Sequence, residues 1–498
     1  MPYTHPSDSI LTKMFQTMQF NASTGKPELR VSIVDGVTIS GNVTIPGTVT
    51  IASGGTIGIT NFPATQAVSG PLTDTQLRAT PVPVSGSVSL AGTITASLGD
   101  VSTNSHDRLR VTDYETVWFN TFQFSKEIDQ WDEAAVSGGT ASWNSANSGV
   151  DLTTNTTSTS SIIRQTQRVA LYTPGRPAQL NQQILFAVPK TNLTQRVGLF
   201  DANNGFYFET VGTSTLNCVI RSNTSGSVVN TVVARANWNG DKLDGAGKSG
   251  LTLDLTKQQL LHFDYEWYGV GSVQFGFIMN DQIVNFHTFH AANLINSVWC
   301  ATPFLPIRLE LFNTGSTTAS TLRQGSNSIL VDGLPGTTDG TSNSFYSPIG
   351  GSTVAQNVFI PVLGIRLKST TLNAVCRPTA MEAGGYLTTG GGDTGSTSGA
   401  IAYQVIKNPT LTGASWIDHP NTSSFMQTDT ASTAYTGGTI VASGFMLSGS
   451  QRIGFSDDIH FQLGRTSMGT VSDTFVITIA GVGGARTAYA SLQWTEAR

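Results

Sequence analysis

The stretch FDYEWYGVGSVQFGFIMNDQIVNFHTFHAAN, residues 263–293, decides how the rest of the chain is read. Apolar and polar residues alternate through HFDYEWYGV (262–270), SVQFGFIM (272–279) and QIVNFHTF (282–289). That period of two suits strands with one face against a core. Gly269 and Gly271 mark the first corner, and Asn280-Asp281 is a two-residue turn of the kind that joins neighbouring antiparallel strands. Strand, glycine corner, strand, Asn-Asp turn and strand together make a meander.

Working outward, the same texture recurs in TVWFNTFQF (116–124), QILFAV (183–188), GFYFETV (205–211) and IRLELF (307–312). Turn-rich stretches separate these runs, as in an antiparallel β-sandwich. EAGGYLTTGGGDTGSTSGA (382–400) reads as a flexible loop or linker, and strands resume over 401–498. The spacing predicts no long helix. At the other end, Ile10, Leu11, Met14, Phe15 and Met18 have helical spacing, which leaves a short amphipathic helix or an extended arm open.

Residues 31–101 are different. They repeat in sixes: VSIVDG, VTISGN, VTIPGT, VTIASG, and after an intervening loop VPVSGS, VSLAGT. A hexad holds one short strand and one corner, and so few of them in one chain leave almost no interior. Three parallel chains would close the column. Val37, Ile39, Val43, Ile45, Val49, Ile51, Val82, Val84, Val88 and Leu90 would then fill the axis of a homotrimeric β-prism, with Thr and Ser toward water. The fold expected is therefore all-β: a short hexad-repeat prism or fibre region followed by jelly-roll-like antiparallel β-sandwich domains. The divisions are an N-terminal docking arm (1–30), a shaft (31–112), a sandwich (113–395) and a C-terminal β domain (396–498).

Composition limits the function. Only 12% of the 498 residues are charged and the net charge is −5, which argues against a general nucleic-acid binder. No run of about 18 apolar residues is present to cross a membrane as a helix, and the first residues lack the pattern of a secretory signal. Cys218, Cys300 and Cys376 are widely spaced, fit no disulfide or zinc pattern, and are expected as buried small hydrophobes.

Several constellations invite chemistry. GAGKSG (245–250) lacks the earlier glycine of a phosphate loop, since Lys242 stands there. DANNG (201–205) fails the calcium-loop pattern at Phe206 and Gly212. Asn237, Asn239, Asp241 and Asp244 form an oxygen-rich turn, more simply a solvated one. Asp264 and Glu266 share a strand face, and paired carboxylates are what glycoside hydrolysis uses, as in jelly-roll glucanases; a third acid is not evident. Trp238, Trp267, Tyr268 and Trp299 could form a sugar-stacking surface, with core packing the better reading for at least half of them, and His287 and His290 could converge on one metal but suit an interface or packing better; Trp238, Trp267, Tyr268, His287 and His290 are kept as the possible ligand surface. No catalytic residue, metal or cofactor is assigned.

PLTDTQLRATPVPVSGS (71–87) resembles a stretch of tail and fibre proteins of tailed bacteriophages. RVGLFDANNGFYFE (196–209), NGDKLDGAGKSGLTLDLTKQQ (239–259) and the opening stretch resemble blocks of phage virion proteins, the last with a lectin-like jelly-roll cadence. The resemblance implies a non-enzymatic virion component, a trimeric tail-associated fibre or spike. Its N-terminal region would meet other virion proteins and its sandwiches a host surface glycan or receptor, with no nucleic acid or membrane as partner. Capsid decoration, or a polysaccharide-degrading tailspike on the same scaffold, is the alternative.

Overall fold

The computed structural model describes residues 18–20, 27–29, 113–316, 318–333, 340–387, 399–447, 451–455 and 462–497. The chain separates into two compact units, Met1–Val101 and Ser102–Arg498. In the first, Met18–Phe20 pairs antiparallel with Pro27–Leu29. The hexads, with the proposed axial residues from Val37 to Leu90, lie outside the described residues.

The second unit holds two β-sandwiches. In the larger, an eight-stranded sheet runs in the order 282–289, 273–279, 259–265, 178–185, 320–332, 149–154, 140–144, with 114–120 also paired to 320–332. The facing seven-stranded sheet runs 229–234, 215–222, 205–211, 193–200, 307–313, 161–166, 131–136. All their pairings are antiparallel, and the architecture is jelly-roll-like. Asn280 and Asp281 both take positive φ, 51° and 62°, as a tight hairpin turn with the strands' own twist demands. At the glycine corner, a Cβ on Gly271 would lie 1.8 Å from the Glu266 carbonyl oxygen, so only glycine lets the chain return that closely.

Aromatic rings fill the space between the sheets. Phe206 touches Phe263, Tyr265, Phe275 and Trp299 at centroid distances of 5.4, 5.1, 6.2 and 6.1 Å. Phe208, Phe277 and Phe286 continue the layer, each fully buried. Cys218, Cys300 and Cys376 are buried free thiols, as the sequence suggested.

The second sandwich packs a five-stranded sheet (341–346, 486–497, 375–387, 451–454, with 352–354 on 486–497) on a six-stranded one (417–418, 426–429, 360–367, 474–481, 401–407, 439–446). Its core joins Val362, Ile365 and Cys376 to Ile401, Ile477 and Trp494. Apart from Val375 and Ala497, which join the larger core, the first core ends by Asp332 and the second is built after Thr341, so the division does not fall at residue 395. Glycine content misplaced it because the glycine-rich segment leaves one strand of the second sandwich, Val375–Leu387, and returns at another, Ile401–Lys407.

A polar joint connects the sandwiches. Lys407 Nζ lies 3.1 Å from Asp473 Oδ2 and donates to Gln167 Oε1 at 2.9 Å. The Arg465 N–H donates to the Gln167 carbonyl (2.7 Å), and the Met468 N–H to Asp132 Oδ2 (3.1 Å). Lys407 and Asp473 are both buried. Burial pulls the Lys407 ammonium below the usual lysine range, against the charge of Asp473.

Two outcomes test this packing. Phe206→Ala, which empties the centre of the aromatic layer, should cost about 3–5 kcal/mol in urea unfolding. Lys407→Ala strands a buried carboxylate and should cost about 3–5 kcal/mol, whereas the pair Lys407→Met with Asp473→Leu should cost far less.

Candidate functional site

The strand Gln259–Tyr265 buries Leu261, Phe263 and Tyr265 in the aromatic layer. The pleat sends His262 and Asp264 to the opposite face. Glu266 continues the alternation, its N–H bonded to the Ser272 carbonyl at 3.1 Å. Asn181 and Gln179 stand beside this row on the neighbouring strand, in register with His262 and Asp264. His262 Nδ1 lies 2.8 Å from Asn181 Oδ1, and Gln179 Nε2 donates to Asp264 Oδ2 at 3.5 Å. His262, Asp264 and Glu266 are all buried. Near the end of the row, the Tyr172 hydroxyl accepts from the N–H groups of Trp267 (3.1 Å) and Tyr268 (3.2 Å). Burial raises the Tyr172 phenol above its usual range, and the Glu266 charge adds to this.

At the His262 end the same face opens into a cleft of about 590 Å³. Asn181, Gln183, Leu260, Ile278, Ser328 and the exposed ring of Phe119 line it. Register explains the grouping: Gln183 pairs with Leu260, Asn181 with Ser328, and Ser328 with Phe119. Side-chain amides each offer donors and an acceptor, which suits hydroxyl-rich ligands, and Phe119 and Leu260 supply apolar surface.

The ligand surface expected from the sequence is largely core. Trp238 is buried 4.5 Å from the Phe286 ring, its Nε1 donating to the Val233 carbonyl. Trp267 is half-buried and donates to the Cys300 carbonyl at 3.0 Å. His287 is buried with its ring edge-on to Phe289 at 4.5 Å, accepting from the Asn239 N–H at 3.3 Å. Of the five, Tyr268 and His290 are exposed. The three are corrected for one reason: each is held by its own neighbours, Trp238 by Phe286, Trp267 by the Cys300 carbonyl and His287 by Phe289 and the Asn239 N–H, and is covered there.

The oxygen-rich turn uses its carboxylates on its own backbone. Asp241 accepts from the Leu243 and Ser249 N–H groups at 2.8 and 2.6 Å, and Asp244 from Ala246 at 3.0 Å. Burial alone would raise the Asp241 carboxyl, but these bonds hold it below the usual range. Asp201 likewise caps its own turn through Asn203 and Asn204. Residues 245–250 are turns and bends with no helix behind them. Among the described residues no three His, Cys, Asp or Glu side chains converge as a metal site would need. The residue that sequence reasoning missed is His262. Its signal was present: His-Phe-Asp-Tyr-Glu places three polar groups on every second position of a strand whose intervening residues are apolar.

No protein-family model and no curated protein matches the sequence. Solved structures do show a likeness. A mixed-linkage-glucan glycoside hydrolase of family 16 from Bacteroides ovatus covers 43% of this chain and 99% of its own, at 10% identity and a TM-score of 0.31. A Bacillus licheniformis β-glucanase covers 44% of this chain and 99% of its own (12% identity, TM-score 0.29). A legume lectin-like domain from Entamoeba histolytica gives the same coverage and identity, at a TM-score of 0.28. Glycoside hydrolases stand among these neighbours, which runs against the expectation of a non-enzymatic chain. At such identities the likeness concerns the fold, and the chemistry has to be argued from this chain's own residues.

Histidine 287 gives a test of the burial described above. Burial, with a smaller contribution from His290, lowers its pKa from 6.5 to about 4. The unfolded chain therefore takes this proton first as pH falls. Stability from this residue is full above about pH 6.5 and is lost toward pH 4, with a slope of at most about 1.4 kcal/mol per pH unit. Urea midpoints measured across that window should fall in the native chain and flatten in His287→Gln.

Proposed function

We propose that this chain engages a polysaccharide across the outer face of its eight-stranded sheet and acts on it through Asp264 and Glu266. The observation that carries this reading is the buried row His262, Asp264, Glu266, joined through the His262–Asn181 hydrogen bond to an open, amide-lined cleft. Alternate strand positions are about 6.6–6.8 Å apart along the chain. Side chains on them bring two carboxyl groups into the range of roughly 5–9.5 Å over which acid pairs cleave glycosidic bonds. One acid protonates the leaving oxygen, and the other attacks the anomeric carbon or activates water. His262, held by Asn181, is the third polar group of the row. The cleft binds adjoining sugar units through Asn181, Gln183 and Ser328, with Phe119 as a stacking surface.

The setting proposed is the surface of a tailed-phage particle, with three copies joined through the hexads. Its support is the resemblance of residues 71–87 and the repeat itself. A polymer on a host surface is then the substrate, and threefold display multiplies weak contacts.

The chain should be incubated with bacterial capsular polysaccharide, lipopolysaccharide and mixed-linkage glucan, with reducing ends and polymer size as readouts. At least one polymer should shorten. Asp264→Asn and Glu266→Gln should each lower the rate by roughly a hundredfold or more while retention on the immobilised polymer persists. Unchanged rates in both variants would remove the acid pair from the mechanism. Absence of both binding and cleavage on the whole panel would overturn the reading.

A further inference from the structure

The second sandwich carries a surface that the preceding reading does not use. On the outer face of its five-stranded sheet, Tyr346, Tyr489 and Tyr386 come from three adjacent strands. Register brings them together: Tyr346 lies opposite Ser491, Ser491 opposite Glu382, Tyr489 opposite Gly384 and Thr487 opposite Tyr386. The inward partners of these positions, Ala488, Ala490 and Leu492, are buried in the core, so the tyrosines cannot turn inward.

Between them lies a groove of about 260 Å³. Tyr346 also borders a second hollow of about 360 Å³, walled by Phe345, His419 and Pro420. Tyr346 is 61% exposed and Tyr386 47%, values far above those of the core tyrosines Tyr207 and Tyr265. The Tyr489 ring is fixed edge-on to Tyr386, with centroids 5.7 Å apart at 79°. Its other contact is Gly351, where a Cβ would come within 2.9 Å of the ring, so the loop packs flat against it. The position across from Tyr489 is Gly384, which leaves no side chain beside the ring on that strand.

Polar groups flank these rings. Glu382 lines the groove and sits in register with Arg452, whose Nη2 donates to Gln493 Oε1 at 2.9 Å. The two opposite charges balance, so the face favours a neutral ligand. Ser491 adds a hydroxyl beside Glu382. Flat aromatic surface with a carboxylate and a hydroxyl at its margin suits a ring that is apolar on its C–H face and hydroxylated around its edge.

We propose that this tyrosine groove is a second binding site, for a neutral oligosaccharide, separate from the acid row of the larger sandwich. Tyr386 and Tyr489 stack on the C–H faces of sugar rings, Glu382 and Ser491 hydrogen-bond their hydroxyls, and Tyr346 carries the chain on toward His419. The site goes beyond the polysaccharide chemistry assigned to the acid row and does not depend on it.

Calorimetric titration of the full chain with neutral oligosaccharides derived from laminarin, cellulose, dextran and mannan tests it. At least one should bind. The Tyr386→Ala with Tyr489→Ala chain should bind that sugar at least tenfold more weakly, while Tyr386→Phe stays within about twofold of the native chain. Near-native affinity in Tyr386→Phe shows the ring at work, and the loss in the tyrosine double variant, whose acid row is intact, separates this groove from that row. Equal binding by the double variant, or no binding by any sugar of the panel, overturns the proposal. So does binding of a proline-rich peptide to the groove without binding of any sugar.

Discussion

The aromatic layer between the sheets of the larger sandwich governs where every other side chain of that domain can go. Phe206 meets Phe263, Tyr265 and Phe275 at 5.4, 5.1 and 6.2 Å, Phe263 meets Phe275 at 5.1 Å, and that contact pins the register of the strand Gln259–Tyr265. A shift of one residue would drive His262 and Asp264 into the rings and expose three apolar side chains. Burying two unmatched polar groups there would cost several kcal/mol. The polar row therefore exists on its face because the rings hold the other one.

The seven-stranded sheet shows how polarity is managed on its own outer side. Arg196 bridges Glu209 (2.7 Å) and Glu310 (3.0 Å), and Arg308 meets Glu310 at 2.6 Å. Arg221 lies over the rings of Phe200 and Tyr207. These groups are mostly buried, and the joint with the second sandwich continues from them through Gln165, Gln167 and Lys407. Buried charges of this kind add little net stability but make a wrong docking costly, because each unpaired partner would lose its compensation. The two sandwiches are thus held in one arrangement by satisfied polar groups, with the apolar cores on either side providing the driving force.

Much of the architecture was legible in the residues. The alternation in 262–289 gave strands, and Asn280-Asp281 gave the turn between two of them. The buried thiols were legible as well, since an odd number of distant cysteines in this chain suits packing. The candidate site was read in part. Asp264 and Glu266 were placed on one face correctly, but His262 was passed over, and Trp238, Trp267 and His287 were credited to a ligand surface. An indole or imidazole looks the same from the sequence whether it meets a sugar or a phenylalanine. The glycine-rich segment after Tyr386 looked like a domain boundary because glycine marks turns, and a connection from one sheet of a sandwich to the other needs turns as much as a linker does.

What the sequence alone determined is local: period-two strands, the corners where only glycine or Asn-Asp fits, and the absence of long helices. Those follow from backbone sterics and side-chain alternation, which act over a few residues. Which of two strand faces became core was decided by tertiary structure, when a second sheet, bringing Phe206 and Phe208 from another part of the chain, covered one of them. The same step brought Asn181 to His262, Lys407 to Gln167 and Tyr346 to the groove shared with Tyr386 and Tyr489. Burial is a property of what packs on top, and no single strand carries that information.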